Sequence, residues 1–149
     1  MYKMPFKVII AGSRNLNDIN LVWRACNHIL SDIKDLEIVS GGATGADELG
    51  ETYAIQNKIP VKRFPANWSK YGKSAGYRRN EQMAKYSDMS IVFWDKFSRG
   101  SKHMIDLSKT YGLPTHVIYF GDHVGYEITN VKDIEVIDPI SVSDELDKD

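Results

Sequence analysis

The sequence predicts an α/β fold in three layers, with a parallel sheet of about five strands, helices on both faces and short extra strands at the C-terminal end. Three observations predict it. Short apolar runs alternate five times with helical patterns between Phe6 and Phe120. The runs read as nearly continuously apolar, as in Val8-Ile9-Ile10-Ala11 and Ile91-Val92-Phe93-Trp94, which is expected of strands covered on both faces. The most glycine-rich stretch, Ser40-Gly41-Gly42-Ala43-Thr44-Gly45-Ala46-Asp47, falls where an apolar run gives way to a helical pattern.

Each element follows from its residues. Phe6 to Ala11 is a short β-rich run ending at Gly12-Ser13-Arg14. Asn17 or Asp18 caps the next helix, whose Leu21, Val22, Ala25, Cys26, Ile29, Leu30 and Ile33 share one face at a 3.6-residue period. Leu36 to Val39 is the second strand, and Ala46, Leu49, Tyr53 and Ala54 mark the buried face of the second helix. Pro60 to Pro65 is a third, weaker strand, followed by a polar, aromatic loop from Ala66 to Ser74. A helix from Ala75 to Tyr86 leads to the strand Met89 to Trp94. After the loop Asp95 to Gly100 comes a helix from Ser101 to Tyr111, stopped by Gly112-Leu113-Pro114. Thr115 to Phe120 is the fifth strand. Beyond Gly121, Tyr126 to Thr129 and Ile134 to Ile137 read as short edge strands. The organisation expected is one domain over residues 1–140 and a frayed acidic tail over 141–149.

Composition narrows the function classes. A length of 149 residues suits one domain with a proper core. The formal net charge of −1 supplies no whole-protein field for nucleic acid or anionic lipid, so anion binding must come from local clusters. The lone cysteine, Cys26, fits a reducing compartment, and no signal-peptide pattern or membrane-length apolar run occurs, so a cytoplasmic protein without a membrane partner is expected. His28, His103, His116 and His123 have no metal-ligand spacing with Cys26 or one another, so neither metal nor cofactor is expected.

Ligands of open α/β sheets sit beyond the carboxyl ends of the strands, and four segments leave that edge with unusual chemistry. Gly12-Ser13-Arg14 follows the first strand, Ser40 to Asp47 the second, Trp68 to Asn80 the third and Ser98-Arg99-Gly100-Ser101 the fourth. Three glycines at a strand-to-helix junction let the backbone approach a ligand, and unpaired helix N–H groups favour phosphate. Trp68 to Asn80 interleaves aromatics with cations; aromatic faces stack bases and guanidiniums pair with phosphate. Arg78 and Arg79 open a helix, where the dipole disfavours cations unless an anion lies nearby. Each feature also has a plainer role. The glycines make a turn; Arg14 and Arg99 are solvated charges; Trp68 and Tyr71 pack on the scaffold. Asp47 is either a first-turn charge or a ribose ligand, and Asp88 either ends a helix or faces the site. Convergence of four segments on one edge favours the functional reading.

Taken in order, these motifs resemble the YspA-like branch of the SLOG superfamily. The resemblance runs through Gly12-Ser13-Arg14, Val39 to Asp47, Pro65-Ala66-Asn67-Trp68, Tyr71-Gly72-Lys73, Ala75-Gly76-Tyr77-Arg78-Arg79-Asn80 with Met83, and Ser98-Arg99-Gly100-Ser101. It implies a Rossmann-like fold, a bacterial or phage setting, and kinship with Lonely Guy phosphoribohydrolases and DprA-type DNA-processing proteins. It also implies a homodimer. Under the resemblance, the arginine that Lonely Guy hydrolases use corresponds to Arg79 and their Gly-Thr pair to Gly100-Ser101. Their catalytic glutamate falls at Met104, whose thioether neither donates nor accepts a proton. Asp47, Asp88 and Asp95 remain as carboxylates on other loops, and the sequence selects none of them.

The function expected is binding of a nucleotide or nucleotide-derived small molecule, in a sensing or sequestering role. Its site comprises Gly12, Ser13, Arg14, Ser40, Gly41, Gly42, Thr44, Gly45, Asp47, Trp68, Arg79, Asn80, Ser98, Arg99, Gly100 and Ser101. The alternatives are a nucleoside monophosphate N-glycosidase and a DprA-like single-stranded nucleic-acid binder. The basic stretch from Lys70 to Arg79 permits the last, while the net charge, the acidic tail and the want of a long basic stripe argue against nucleic acid.

Overall fold

The computed structural model describes residues 4–122, 124–129 and 135–137; His123 and the acidic segment 141–149 lie outside them. The elements in chain order are β1 (Phe6–Gly12), α1 (Ile19–Leu30), β2 (Leu36–Ser40), α2 (Ala46–Gln56), β3 (Val61–Arg63) and α3 (Trp68–Tyr71). They continue with α4 (Ala75–Tyr86), β4 (Met89–Trp94), α5 (Arg99–Thr110), β5 (Thr115–Tyr119), β6 (Gly125–Thr129) and β7 (Glu135–Ile137). One sheet has the order β3-β2-β1-β4-β5-β6-β7. The first five strands in that order are parallel, and β6 and β7 add antiparallel strands at the far edge.

Alternation along the strands divides the core in two. Val8, Ile10, Ile38, Ile91 and Phe93 face α1 and α2, meeting Val22, Cys26, Leu30 and Ala54. Ile9, Ala11, Val39, Val92 and Val117 face α4 and α5, meeting Met83, Ala84, Met104 and Ile105. Complete burial of such side chains contributes about 1.5–3 kcal/mol each, which is why both strand faces must be apolar. Among the described residues no helix is long and apolar enough to cross a membrane.

Local chemistry explains where expectation and structure part. Asp18, not Asn17, caps α1, accepting from the Leu21 amide at 3.1 Å. The segment expected to be loop from Ala66 to Ser74 instead forms α3 and a 3₁₀ turn, Gly72–Ser74. Asn67 starts it by accepting from the Lys70 amide at 3.1 Å, and Gly72 ends α3. A single turn is too short to show a periodicity. The third strand keeps only Val61–Arg63, because Lys62 and Arg63 are exposed at the sheet edge. The fifth helix starts earlier than expected, at Arg99, which places Arg99, Gly100 and Ser101 in its first turn.

Gly50 shows how closely α2 lies on the sheet: a Cβ there would stand 2.5 Å from Ile10 Cγ2. An ordinary interior Gly→Ala change favours a helix by about 1 kcal/mol. Here overpacking against a fully buried central strand reverses the sign, and Gly50→Ala destabilises the fold by about 1–3 kcal/mol. Urea denaturation followed by circular dichroism checks it through a lower midpoint at unchanged slope.

Candidate functional site

Strand order reverses direction between β1 and β4, so the loops leaving their carboxyl ends part and open a crevice. A cleft of about 380 Å³ lies there. Two glycines bring its walls together. Gly12, at φ +150°, would place a Cβ 2.1 Å from the Phe93 carbonyl oxygen. Gly45, at φ +78°, would place one 2.5 Å from the carbonyl oxygens of both Ser13 and Arg14. Neither position tolerates a side chain.

The glycine-rich loop does something different from cradling phosphate with a full set of amides. Its Gly42 amide donates to Ser40 Oγ at 3.1 Å, Ala43 to Asp47 Oδ2 at 3.1 Å, and Ala46 to the Ser13 carbonyl at 3.2 Å. Ser40 Oγ itself donates to Glu51 Oε2 at 2.6 Å. The loop is thereby folded onto its own scaffold, with Ser40 and Gly45 serving packing rather than lining the cleft. The helix end that opens on the cleft is that of α5. Ser98 caps it without a side-chain hydrogen bond, and the Arg99, Gly100 and Ser101 amides have no carbonyl one turn back. Ser101 is buried and lines the cleft, and its hydroxyl has no hydrogen-bond partner among the described residues.

Three arginines supply the charge. Arg14 and Arg99 are exposed at the cleft and have no hydrogen bond or ion pair among the described residues. Arg79 is half-buried and fixed: Nη1 donates to the Gly41 carbonyl at 2.6 Å and Nε to Asn80 Oδ1 at 3.0 Å. Asn80 Nδ2 donates to the Gly100 carbonyl at 3.3 Å, which ties α4 to the start of α5. Burial pushes the Arg79 guanidinium below its ordinary pKa, Asp47 opposes that, and the like charge of Arg14 adds to it.

The fold alone resembles known proteins. The DNA processing protein A of Streptococcus pneumoniae matches with a TM-score of 0.60 at 18% identity over 80% of this chain and 52% of that one. This chain therefore spans about half of that protein's length. The DNA processing protein A of Helicobacter pylori, described for its unique single-stranded DNA binding mode, matches with a TM-score of 0.58 at 21% identity, covering 81% of this chain and 68% of that one. Sequence decides the family. A model of the YspA, cpYpsA-related SLOG family matches residues 6–71. The Gene 61 protein of Mycobacterium phage D29 is 32% identical over 123 residues, covering 78% of this chain and 97% of that protein. This chain belongs to the YspA, cpYpsA-related SLOG family.

In this SLOG chain the structure brings ten of the expected residues to one cleft: Gly12, Ser13, Arg14, Asp47, Arg79, Asn80, Ser98, Arg99, Gly100 and Ser101. Gly41, Gly42, Thr44 and Trp68 line a neighbouring groove that shares Arg14 and Arg79 with it. Tyr71 is exposed, with Arg78 4.3 Å and Lys70 5.0 Å from its ring centroid. The three carboxylates left open by the sequence now separate. Asp88 sits at the opposite end of the sheet, accepting from the Lys7 amide at 3.0 Å. Asp95 Oδ1 accepts from the Phe97 and Ser98 amides at 2.8 Å each; these bonds outweigh its burial and hold its pKa below the usual value. Asp47 alone lines the cleft.

Glu51 escaped the sequence reading. It accepts from Arg63 Nε at 3.1 Å and pairs with its Nη2 while holding Ser40, so it braces the glycine loop from below. Its signal was the i, i+4 spacing from Asp47, which puts two carboxylates on one face of α2.

Asp47 is 5% exposed, and burial lifts its pKa to about 6 against the lowering pull of the Ala43 amide and Arg79. The native state therefore holds a proton that the unfolded state releases near pH 4, so this group's contribution falls as pH rises from about 4 to 6. Its ionised form costs about 3 kcal/mol above that window. Asp47→Asn keeps an acceptor for Ala43 and removes the titration. Chemical denaturation at pH 4 to 8 checks this: the variant gains stability over the parent as pH rises, with no gap below pH 4.

Proposed function

We propose that the cleft binds a nucleotide or nucleotide-derived small molecule through its phosphate. The observation that carries this reading is the convergence of Arg14, Arg79 and Arg99 on the uncapped first turn of α5. Among the described residues neither Arg14 nor Arg99 makes a hydrogen bond or ion pair, and the one carboxylate lining the cleft, Asp47, offsets only part of the charge of three guanidiniums, which favours a further anion between them. The phosphate accepts from the Gly100 and Ser101 amides and the Ser101 hydroxyl. The arginines neutralise its remaining charge. A sensing or sequestering role suits Met104, which is fully buried in the cleft wall where Lonely Guy hydrolases carry a glutamate. Asp106, two residues on, is exposed and paired with Lys102 at 2.9 Å.

A second reading, hydrolysis of the N-glycosidic bond, is favoured by Asp47, the one of the three candidate carboxylates that lines the cleft. A carboxyl with a pKa near 6 is tuned for proton transfer close to neutral pH. Single-stranded DNA, the ligand of the Helicobacter neighbour, would bind this cleft with a steep salt dependence.

Calorimetry and thermal shift against nucleoside monophosphates, the matching nucleosides and a short single strand test these readings together. Monophosphates raise the melting temperature, and nucleosides do not. Arg14→Ala and Arg99→Ala each weaken binding about tenfold or more, the loss of one charge-assisted hydrogen bond of about 1.5–3 kcal/mol. Equal binding of nucleosides and nucleotides contradicts the phosphate reading. Release of free base from the same mixtures, abolished by Asp47→Asn, selects the hydrolase instead.

A further inference from the structure

The cleft does not end at its phosphate site. Arg14 and Arg79 form a ridge common to three adjoining cavities: the cleft itself, the groove of about 500 Å³ over Gly41 to Thr44, and a smaller cavity of about 200 Å³ against α4. Trp68 lines both of the outer cavities and is 50% exposed. Its position is built. Asn67 caps the turn that carries it, and the bare Cα of Gly76 makes room for the indole, since a Cβ there would lie 3.3 Å from Trp68 Cη2. Trp68 keeps half of its surface open, whereas Arg78 and Lys70 lie over the nearby Tyr71 ring.

Charge points the same way. Arg14, Arg79 and Arg99 bring three positive charges to the ridge and cleft. A single terminal phosphate carries about −1.5 to −2 at neutral pH. Arg63, beside the outer groove, adds nothing free, because Glu51 neutralises it. Asp47 offsets one of these charges, so what points to two phosphates, one at the first turn of α5 and one on the Arg14–Arg79 ridge, is placement: Arg99 lines only the cleft, whereas Arg14 and Arg79 also line both outer cavities. Beyond the second phosphate the chain of contacts reaches Trp68.

We infer that the ligand is a dinucleotide, two nucleoside units joined through phosphate, with the inner phosphate in the cleft and the outer base stacked on Trp68. This rests on the phosphate reading of the same cleft. A free dinucleotide and the end of a longer strand share this chemistry, and the formal net charge of −1 favours the free molecule.

The test is titration calorimetry of the full chain with the four nucleoside 5′-monophosphates and the 5′-phosphorylated homodinucleotides pApA, pGpG, pCpC and pUpU, beside a homopolymer of roughly 12 nucleotides. At least one dinucleotide binds about tenfold or more tightly than its mononucleotide, the gain expected of one stacked base. Trp68→Ala erases that preference, while Trp68→Phe retains it. Quenching of tryptophan fluorescence by the dinucleotide is lost in Trp68→Phe, which reports stacking without requiring the alanine variant to fold. Equal affinity for mono- and dinucleotides overturns this inference and leaves the phosphate reading standing. Binding that grows with strand length and falls steeply with salt overturns the small-molecule assignment. Failure of every ligand to bind overturns both.

Discussion

Everything at the open edge of the sheet is tied through Ser13. Its amide donates to the Phe93 carbonyl at 2.9 Å, its carbonyl accepts from Ala46 at 3.2 Å and Leu16 at 3.3 Å, and its hydroxyl accepts from the Asp95 amide at 3.2 Å. One buried residue thus links the ends of β1 and β4 and the start of α2. The parallel strand order opens a crevice at this point, and unsupported loops there would splay. Ser13 fixes their spacing, and Gly12 and Gly45 allow the backbones to come as close as that spacing demands.

From this knot the electrostatics follow. A chain with a net charge of −1 has no general affinity for anions, yet its cleft gathers three guanidiniums. Arg79 is held by the Gly41 carbonyl and Asn80, so its position is set before any ligand arrives. Asp47, buried beside it with a pKa of about 6, is largely ionised at pH 7 and offsets one of the three positive charges. An anion entering this cleft raises the Asp47 pKa further, so binding takes up protons near neutral pH. Preorganised charge of this kind binds phosphate with little reorganisation, which is what a small site needs.

Much of this was legible in the sequence. Continuous apolar runs such as Ile91-Val92-Phe93 could only be strands covered on both faces, and the parallel order follows from the alternation with helices. Parallel strands also bring Arg14, Arg79 and Arg99 to one edge, so the cationic part of the site could be read from topology. Two things could not. The glycine motif Ser40 to Asp47 looks like a phosphate cradle, but whether its amides are free depends on partners such as Ser13, distant in sequence. The helix at Trp68–Tyr71 is one turn long, and its start depends on a side-chain cap at Asn67 that periodicity cannot reveal. Glu51 was hidden for a related reason, since its partners Ser40 and Arg63 lie on β2 and β3.

The central claim is that the first turn of α5, not the glycine loop, receives the phosphate. Amide chemical shifts of ¹⁵N-labelled protein titrated with a nucleoside monophosphate, and separately with its nucleoside, test it most directly. The account predicts large shifts at Gly100 and Ser101 with the nucleotide alone, and small ones at Gly42, Ala43 and Ala46, whose amides are already bonded. Shifts concentrated in the glycine loop, or equal shifts from nucleoside and nucleotide, would contradict it.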